Sequence, residues 1–486
     1  MRIAKKCITA EKENGRVYTP TFIVDNILDL CSYYGKGILK KHVIDNSCGD
    51  GAFLCQIVKR YCEAAIAEQM SLQDILLDLE KFIHGIEIDN FEINKCIENV
   101  NSIAASFGIC DVNWDIICGD ALNIHKYDAK MDFVFGNPPY VRIHNLGNSF
   151  DEIRKFQFAQ SGMTDLFIVF YEIGINMLSS KGVLGYITPS SFYNSLAGSA
   201  MRKAFIDERL LDQVVDLKHF QAFSATTYTT IVILKKSRLQ NTVDYYGYDE
   251  KNLIPYYIDT LTPDDFYISG NYYFSKKEDL SKLQKIFYNI GECDILVKNG
   301  YATLCDDVFI NDFDFESDFI IPVIKSSKGI VQKMFFPYDK SGKLLPESII
   351  MKDKKIYQYL LANKEKLIKR SNEKDRFLYW YAFGRSQAIN DTFQNKLAIS
   401  ALIRNENDLK FTDAPSGTGV YGGLYIMSNS IETQKIKELL RTEEFISYIT
   451  LLGKYKSGGY YTFSSKDVKK YLDFKFNYNG GLLYVN

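Results

Sequence analysis

The 486 residues are 46% hydrophobic and 24% charged, with 58 Lys+Arg against 60 Asp+Glu and a formal net charge of −2. That profile belongs to a soluble globular chain too long for one ordinary core, and it excludes a collagen-like or disordered class. Ten scattered cysteines without a Cys-x-x-Cys spacing, accompanied by five histidines, argue against a disulfide framework or a zinc site and lead us to expect reduced thiols.

The opening MRIAKKCITAEKENGR turns to charge at once, and no run of about 18 apolar residues follows it, so no membrane partner and a cytoplasmic location are expected. Tyr18-Thr19-Pro20 then precedes an apolar helical run to about Leu30, which makes Thr19 an N-cap and Pro20 the first helical residue. From residue 41 to about 235, β-rich runs (HVIDN, FIHGIEID, WDIICGD, DFVFGN, GVLGYIT) alternate with helices expected from Gly51, from Asn90 and near 164–178. This alternation predicts an α/β fold with a parallel sheet covered by helices on both faces. Cys48, Cys55 and Cys62 recur every seven residues within it, a spacing read as a buried helix stripe in preference to a metal face. LLDQVVDL and TTYTTIVILKK close the series, and the loop between them is too short to hold a crossover helix, so the sheet is expected to finish antiparallel.

Beyond residue 240 the texture changes to short segments rich in Tyr, Asp, Asn and Lys, which sets an expected division into residues 1–240 and an α+β region over 241–486. NDFDFESDF and DKSGKLLPES read as surface loops there, and SGGYYTFSSKDVKKY as glycines before a short capped helix. Charge is distributed mildly, with 23 basic and 28 acidic residues in 1–235 against 35 and 32 afterwards. Residues 351–385 stand out, with ten basic and four acidic side chains and aromatics clustered at the end. Such a mixture suits a nucleic acid, or else a solvated helix followed by a buried aromatic strand.

Chemistry concentrates at the ends of the expected strands. The first strand runs into Asp45-Asn46-Ser47-Cys48-Gly49-Asp50-Gly51, where glycines allow a tight turn and close approach to a ligand, and the following helix offers unpaired N–H groups. The second strand ends at Glu87, whose carboxylate can accept both ribose hydroxyls of a nucleoside cofactor; the alternative is a helix cap, a role Asp89 fits better. Asp120, at the end of the third, can accept an adenine amino group or simply hold a turn. The N-terminus of the Thr19-Pro20 helix would attract a cofactor carboxylate.

Directly after DFVF comes Asn137-Pro138-Pro139-Tyr140. Consecutive prolines continue neither ladder nor helix, so they stiffen a loop at the sheet's carboxyl edge. An aromatic amine is a poor nucleophile because its lone pair is delocalised. The Asn137 amide oxygen and Pro138 carbonyl, fixed on its two N–H bonds, would draw the nitrogen toward tetrahedral geometry while Tyr140 stacks on the ring. A general base is not required, since the methylated nitrogen becomes acidic.

With these residues assembled, 14 to about 235 resemble the γ-class N6-adenine DNA methyltransferases of bacterial restriction-modification systems. The order matches as well as the content: Gly-x-Val-Tyr-Thr-Pro at 15–20, the glycine turn, the acidic strand ends, Asn-Pro-Pro-Tyr, and a long region last. The resemblance implies a Rossmann-like methyltransferase mixed sheet with an antiparallel last strand, followed by a C-terminal target-recognition domain. S-adenosyl-L-methionine would be the methyl donor, with no metal. Thr19, Asp45 and Gly49 become contacts near its methionine end, Glu87 the ribose anchor and Asp120 the adenine-amine partner. Pro20, Cys48, Ile88, Ala121 and Asn137 join the cofactor-binding set. Phe223 takes the place of an aromatic against the flipped base, with Phe220 a substitute. Asp165 and Phe167 resemble the motif lining the cofactor adenine, although Phe167 also fits the core.

Asn46 stands where that family often has proline, so the turn is expected to be less rigid. YAFGRSQ (381–387) and SGGYYTFSSKDV (457–468) resemble recognition-domain segments, which implies DNA contacts at Arg385, Gln387, Lys456 and Tyr460. The expected partner is double-stranded DNA, bound by a monomer, with a separate cognate restriction endonuclease. The competing readings are methylation of a protein glutamine or an RNA base amine, and a non-catalytic DNA-binding subunit. The long C-terminal region counts against the first, and intact Asn137 and Glu87 against the second.

Overall fold

The computed structural model describes residues 18–142, 153–223, 227–370 and 379–476. The chain divides into two compact units, one ending at Ser281 and the other beginning at Lys282.

The first unit opens with α1 (Thr21–Leu30), whose N-cap is Pro20. The expected cap at Thr19 is therefore displaced by one residue: the Pro20 carbonyl accepts the first helical N–H bonds, from Ile23 at 2.9 Å and Val24 at 3.2 Å, which is what defines the N-cap. After β1 (Val43–Asp45), α2 (Ala52–Ala67) buries Phe53, Ile57, Tyr61 and Ala64 along one face and packs on α4. Next comes α3 (Leu72–Phe82), capped by Ser71 and burying Ile75, Leu79 and Phe82; its short, charge-interrupted stripe escaped the reading of the sequence. It runs straight into β2 (Ile83–Glu87). α4 (Asn90–Ser106) is capped by Asp89, which accepts from Phe91 N at 2.8 Å and Glu92 N at 3.3 Å, a device stabilising the helix by about 1 kcal/mol.

The remaining elements are β3 (Asp115–Cys118), β4 (Met131–Gly136), α5 (Leu166–Met177), β5 (Leu178–Pro189), α6 (Ser199–Asp207), β6 (Leu211–Asp216), β7 (Thr229–Lys235), β8 (Val243–Asp249) and β9 (Ile254–Leu261). Among the described residues they form a nine-stranded sheet in the order β3-β2-β1-β4-β5-β7-β6-β8-β9. β3, β2, β1, β4 and β5 pair in parallel. β7 is inserted antiparallel between β5 and β6, as the short β6–β7 connection requires. The sheet then continues, β8 parallel to β6 and β9 antiparallel to β8. The expected boundary at 240 thus falls inside one sheet, between β7 and β8. Strand order reverses beside β1, which leads to β2 on one side and has β4 on the other; in open α/β sheets the crevice at such a reversal is where ligands bind.

The second unit is α+β. Strands Leu296–Asn299, Leu424–Met427, Lys396–Ile399 and Phe411–Ala414 make one sheet, Ile330–Phe335, Ile320–Lys325 and Gly419–Tyr421 a second, and Leu402–Ile403, Tyr460–Thr462 and Tyr455–Lys456 a third. Its largest hydrophobic cluster is built on aromatics such as Phe309, Phe335, Phe336, Trp380 and Phe383. The basic segment contributes helices Lys354–Ala362 and Lys364–Lys369, while Trp380, Tyr381 and Phe383 are buried. Those three rings are core, whereas Tyr379 is 55% exposed and residues 371–378 of that mixture lie outside the described residues. The three rings lie in turns, not in a strand. Ser464 caps helix Ser465–Lys475 in a capping box with Asp467, as its sequence predicts. No helix among the described residues is long and apolar enough to cross a membrane.

Candidate active site

Two loops meet at the carboxyl edge where strand order reverses: residues 46–51 after β1 and 137–140 after β4. The first is a glycine turn because its backbone demands it. Gly49 and Gly51 have φ of +51° and +91°, values L side chains rarely adopt. A Cβ on Gly51 would also lie 2.8 Å from Cys96 Sγ, whereas one on Gly49 would enter open space. Gly49 therefore leaves a cradle beside the turn, and Gly51 lets α4 pack against α2.

Glu87 ties this turn to the tip of β2. Its carboxylate accepts from Gly49 N and from Asp89 N, each at 3.0 Å. Asp89 caps α4, as the alternative reading of this strand end expects, so Glu87 is not the cap. Next to Glu87, Ile88 is 68% exposed and Phe91 64%, which leaves apolar surface at the strand tip. Asp120, after β3, caps the short turn Ala121–Asn123 by accepting from Leu122 N at 3.0 Å, and Ala121 is buried.

Asp45 is 1% exposed and accepts from Ser47 N at 3.0 Å. Burial pushes its carboxyl up to about 8; the Ser47 N–H opposes the shift, and Glu87 and Asp50 add to it. Burial likewise raises Asp50, with Glu92 adding to the effect. The upward push that Glu87 and Asp50 exert on Asp45 marks a negative field at the turn, one that suits a cationic ligand. Cys48 is buried and gives its N–H to the Ile86 carbonyl at 2.9 Å; what it offers the edge of the sheet is backbone. Cys62 is buried and Cys55 half-buried on α2, so the expected helix stripe holds for these two, while Cys48 lies in the turn ahead of the helix. Thr19 is buried next to the α1 N-terminus and Pro20 is half-buried.

On the other loop Asn137, Pro139 and Tyr140 are half-buried and Pro138 is buried. The Tyr140 hydroxyl donates to the Ile187 carbonyl on β5 at 3.1 Å, and burial pushes its ionisation well above the usual range, so it stays a donor. Its ring meets Phe167 and Phe223 edge-on, both with centroids at 6.3 Å. Phe167 is buried in the core and backs Tyr140. Phe220 lies apart, against Phe22 and Tyr248, so Phe223 is the aromatic beside the loop. Asp165 is the N-cap residue of α5 without a side-chain cap bond, and its backbone bridges Arg142 beyond the loop.

The two loops leave their strands side by side. A Cβ on Gly136, the residue before Asn137, would lie 3.0 Å from Asp45 Oδ1 and 3.5 Å from Ser47 Oγ. Close approach of the β1 turn is what requires glycine there.

In the second unit Lys456 and Tyr460 are directly opposed on a hairpin, and the Arg404 guanidinium lies 4.3 Å above the Tyr460 ring, a contact the sequence did not reveal. Arg385 is exposed. Gln387 donates its amide to the Gly300 carbonyl at 2.6 Å, a bond that holds its own loop.

Residues 53–223 match the Eco57I restriction-modification methylase family. Over 367 residues the chain is 26% identical to the type II methyltransferase M.BstVI of Geobacillus stearothermophilus, covering 65% of this chain and 63% of that protein. It is 23% identical over 533 residues to the type II restriction enzyme and methyltransferase RM.Eco57I of Escherichia coli, covering 85% and 52%. It is 28% identical to the type II methyltransferase M.PaeR7I of Pseudomonas aeruginosa, covering 46% and 40%. The chain thus spans 63% or less of the length of these relatives. Among solved structures, the type IIL restriction-modification enzyme MmeI in complex with DNA superposes with a TM-score of 0.62 at 15% identity, over 91% of this chain and 63% of that one. The type ISP enzyme LlaGI with a DNA substrate mimic superposes with a TM-score of 0.54 at 14% identity, over 85% and 41%. At such identities these likenesses establish a shared fold.

Proposed function

We propose that the chain, whose residues 53–223 match the Eco57I restriction-modification methylase family, transfers methyl from S-adenosyl-L-methionine to the N6 amine of an adenine flipped out of duplex DNA. The observation that carries this reading is the close approach of Gly136, at the start of the Asn-Pro-Pro-Tyr loop, to Asp45 and Ser47 of the acidic glycine turn at the reversal of strand order.

The cradle fits the cofactor's chemistry. S-adenosyl-L-methionine carries a sulfonium and an ammonium, and the turn presents Asp45, Asp50 and Glu87 with open space at Gly49. Glu87 accepts one N–H on each oxygen; a carboxylate has about four acceptor sites, so two ribose hydroxyls can be added. Ile88 supplies an apolar face for the adenine and Asp120 an acceptor for its amine, with Ala121 beneath. Thr19, Pro20 and Gly49 hold the methionine end, where the α1 N-terminus favours the carboxylate.

When bound, the cofactor supplies an electrophilic methyl carbon. Asn137 Oδ1 and the Pro138 carbonyl accept the two N6–H bonds and direct the amine lone pair at that carbon. With the cofactor held in the cradle, its methyl would pass to N6 as the sulfonium leaves as a neutral thioether, and the N6 proton would be released to water. Tyr140 stacks on the base, its orientation set by the bond to Ile187 and by Phe167 behind it, and Phe223 packs beside it. Unstacking the adenine costs on the order of a few kcal/mol, which these aromatic faces offset in part. The second unit reads the target sequence, with Lys456, Tyr460 and Arg385 on DNA and Gln387 shaping the loop that carries Arg385. The chain acts as a monomer, with a separate endonuclease cutting the unmethylated sequence.

The test is incubation with cofactor labelled in the methyl group and duplex DNA, RNA and protein acceptors, followed by nucleoside analysis. Label in N6-methyladenine from DNA is expected. Label in cytosine, or in RNA or protein alone, overturns the reading. Asn137→Ala is expected to lower transfer by about 100-fold or more, the scale on which preorganised polar contacts act, with cofactor binding close to that of the unaltered protein. Loss of cofactor binding in that variant would remove Asn137 from the acceptor role.

A further inference from the structure

Asn46, directly after Asp45, is 1% exposed, and a buried amide needs a partner. Its Oδ1 accepts from the Tyr186 hydroxyl on β5 at 2.9 Å, while Nδ2 faces Met177 Sδ at 3.9 Å. Tyr186 is fully buried, and the chain has made room for its hydroxyl: a Cβ on Gly174 of α5 would lie 2.5 Å from that oxygen. The Tyr186 ring also flanks the other loop, with Cε1 3.6 Å from the Cβ position of Gly136. The next residue on β5, Ile187, gives its carbonyl to Tyr140. Two consecutive residues of one strand therefore hold both loops, the glycine turn through Asn46 and the Asn-Pro-Pro-Tyr loop through Tyr140.

A buried hydroxyl–amide pair adds little net stability over an apolar pair of similar shape, whereas removing one partner alone is costly. What the pair supplies is direction, since a hydrogen bond has a defined geometry and an apolar contact does not. We infer that Tyr186 is a positioning residue that sets the glycine turn in register with the methyl-accepting loop. Asn46 thereby gains a tether that compensates for a freer backbone. This rests on the cofactor assignment above.

The test compares cofactor affinity by equilibrium titration with the melting temperature of the cofactor-free protein, in the unaltered chain, in Tyr186→Phe, and in the double variant Asn46→Leu with Tyr186→Phe. Tyr186→Phe is expected to weaken cofactor binding on the order of tenfold, the scale of one lost buried hydrogen bond, with KM for the cofactor rising more than kcat falls. The double variant, which leaves no orphaned polar atom, is expected to regain the melting temperature while affinity stays low. Affinity unchanged in Tyr186→Phe, or regained together with stability in the double variant, overturns the inference and leaves the pair structural. Absence of cofactor binding by the unaltered chain overturns the functional reading itself, and this inference with it.

Discussion

Asp45 sits where function and stability pull apart. Its carboxyl is raised to about 8 by burial, from an ordinary value near 3.9. Between those two pH values the folded state binds more protons than the unfolded state, so stability is highest below about pH 4 and falls as pH rises toward 8. Asp45→Asn removes that titration and keeps an oxygen for the Ser47 N–H. Calorimetry should find its melting temperature above that of the unaltered chain at pH 8, with the difference shrinking toward pH 4.5. Above about pH 8, where Asp45 is ionised, cofactor affinity should fall in the variant, because the amide offers a cationic ligand no negative charge. A melting difference independent of pH would show that Asp45 is not raised in the fold. At this scale the sequence was legible where chemistry is local in the chain. Asp45, Gly49 and Asn137 stand at strand ends that their own neighbours announce. The Asn46–Tyr186 bond spans 140 positions, and no spacing rule reaches that far. The resemblance left Phe167 as cofactor neighbour or core, and its burial edge-on to Tyr140 is a packing contact that the sequence does not show.

Whole elements were legible in proportion to their periodicity. β1 to β7 read correctly because each is a short run of apolar and β-branched residues bounded by polar turn residues. β9 did not, since most of its residues are half-buried or exposed at the edge of the sheet and its Tyr and Asp content mimics a loop. The second unit was legible as α+β and little more, because its core is aromatic and its strands run only two to six residues. One element there bears directly on DNA. On the Tyr455–Lys456 and Tyr460–Thr462 hairpin, Gly458 and Gly459 both have φ of +75°, which makes the tip narrow, and Arg404 adds a second cation over Tyr460. If Lys456 meets a phosphate, Lys456→Ala should weaken binding to cognate and unrelated duplexes alike. It should also reduce the slope of log affinity against log salt by about 1. Tyr460→Ala should weaken binding with little change in that slope. An unchanged slope in Lys456→Ala would remove this hairpin from the DNA surface.

For the molecule as a whole, the division at Ser281 and Lys282 makes a prediction that the texture change at 240 does not. Asn26 on α1 is buried and donates its amide to the Leu253 carbonyl at 2.9 Å and the Tyr248 hydroxyl at 3.3 Å. Tyr248 belongs to the main hydrophobic cluster of the first unit, with Phe220 stacked obliquely on it at 4.9 Å. A fragment ending at 240 loses β8 and β9, opens the edge of β6, and strands the Asn26 amide. The orphaned amide alone costs roughly 1–3 kcal/mol, and the lost aromatic about as much again or more, against a total stability of about 5–15 kcal/mol for a domain. Residues 1–281 are therefore expected to unfold in one cooperative transition and to bind the cofactor, while residues 1–240 melt far lower or aggregate. The longer fragment should still lose sequence-specific methylation, because target reading is assigned to the second unit. Equal melting temperatures for the two fragments would move the boundary back to 240, and specific methylation by residues 1–281 would place target recognition in the first unit.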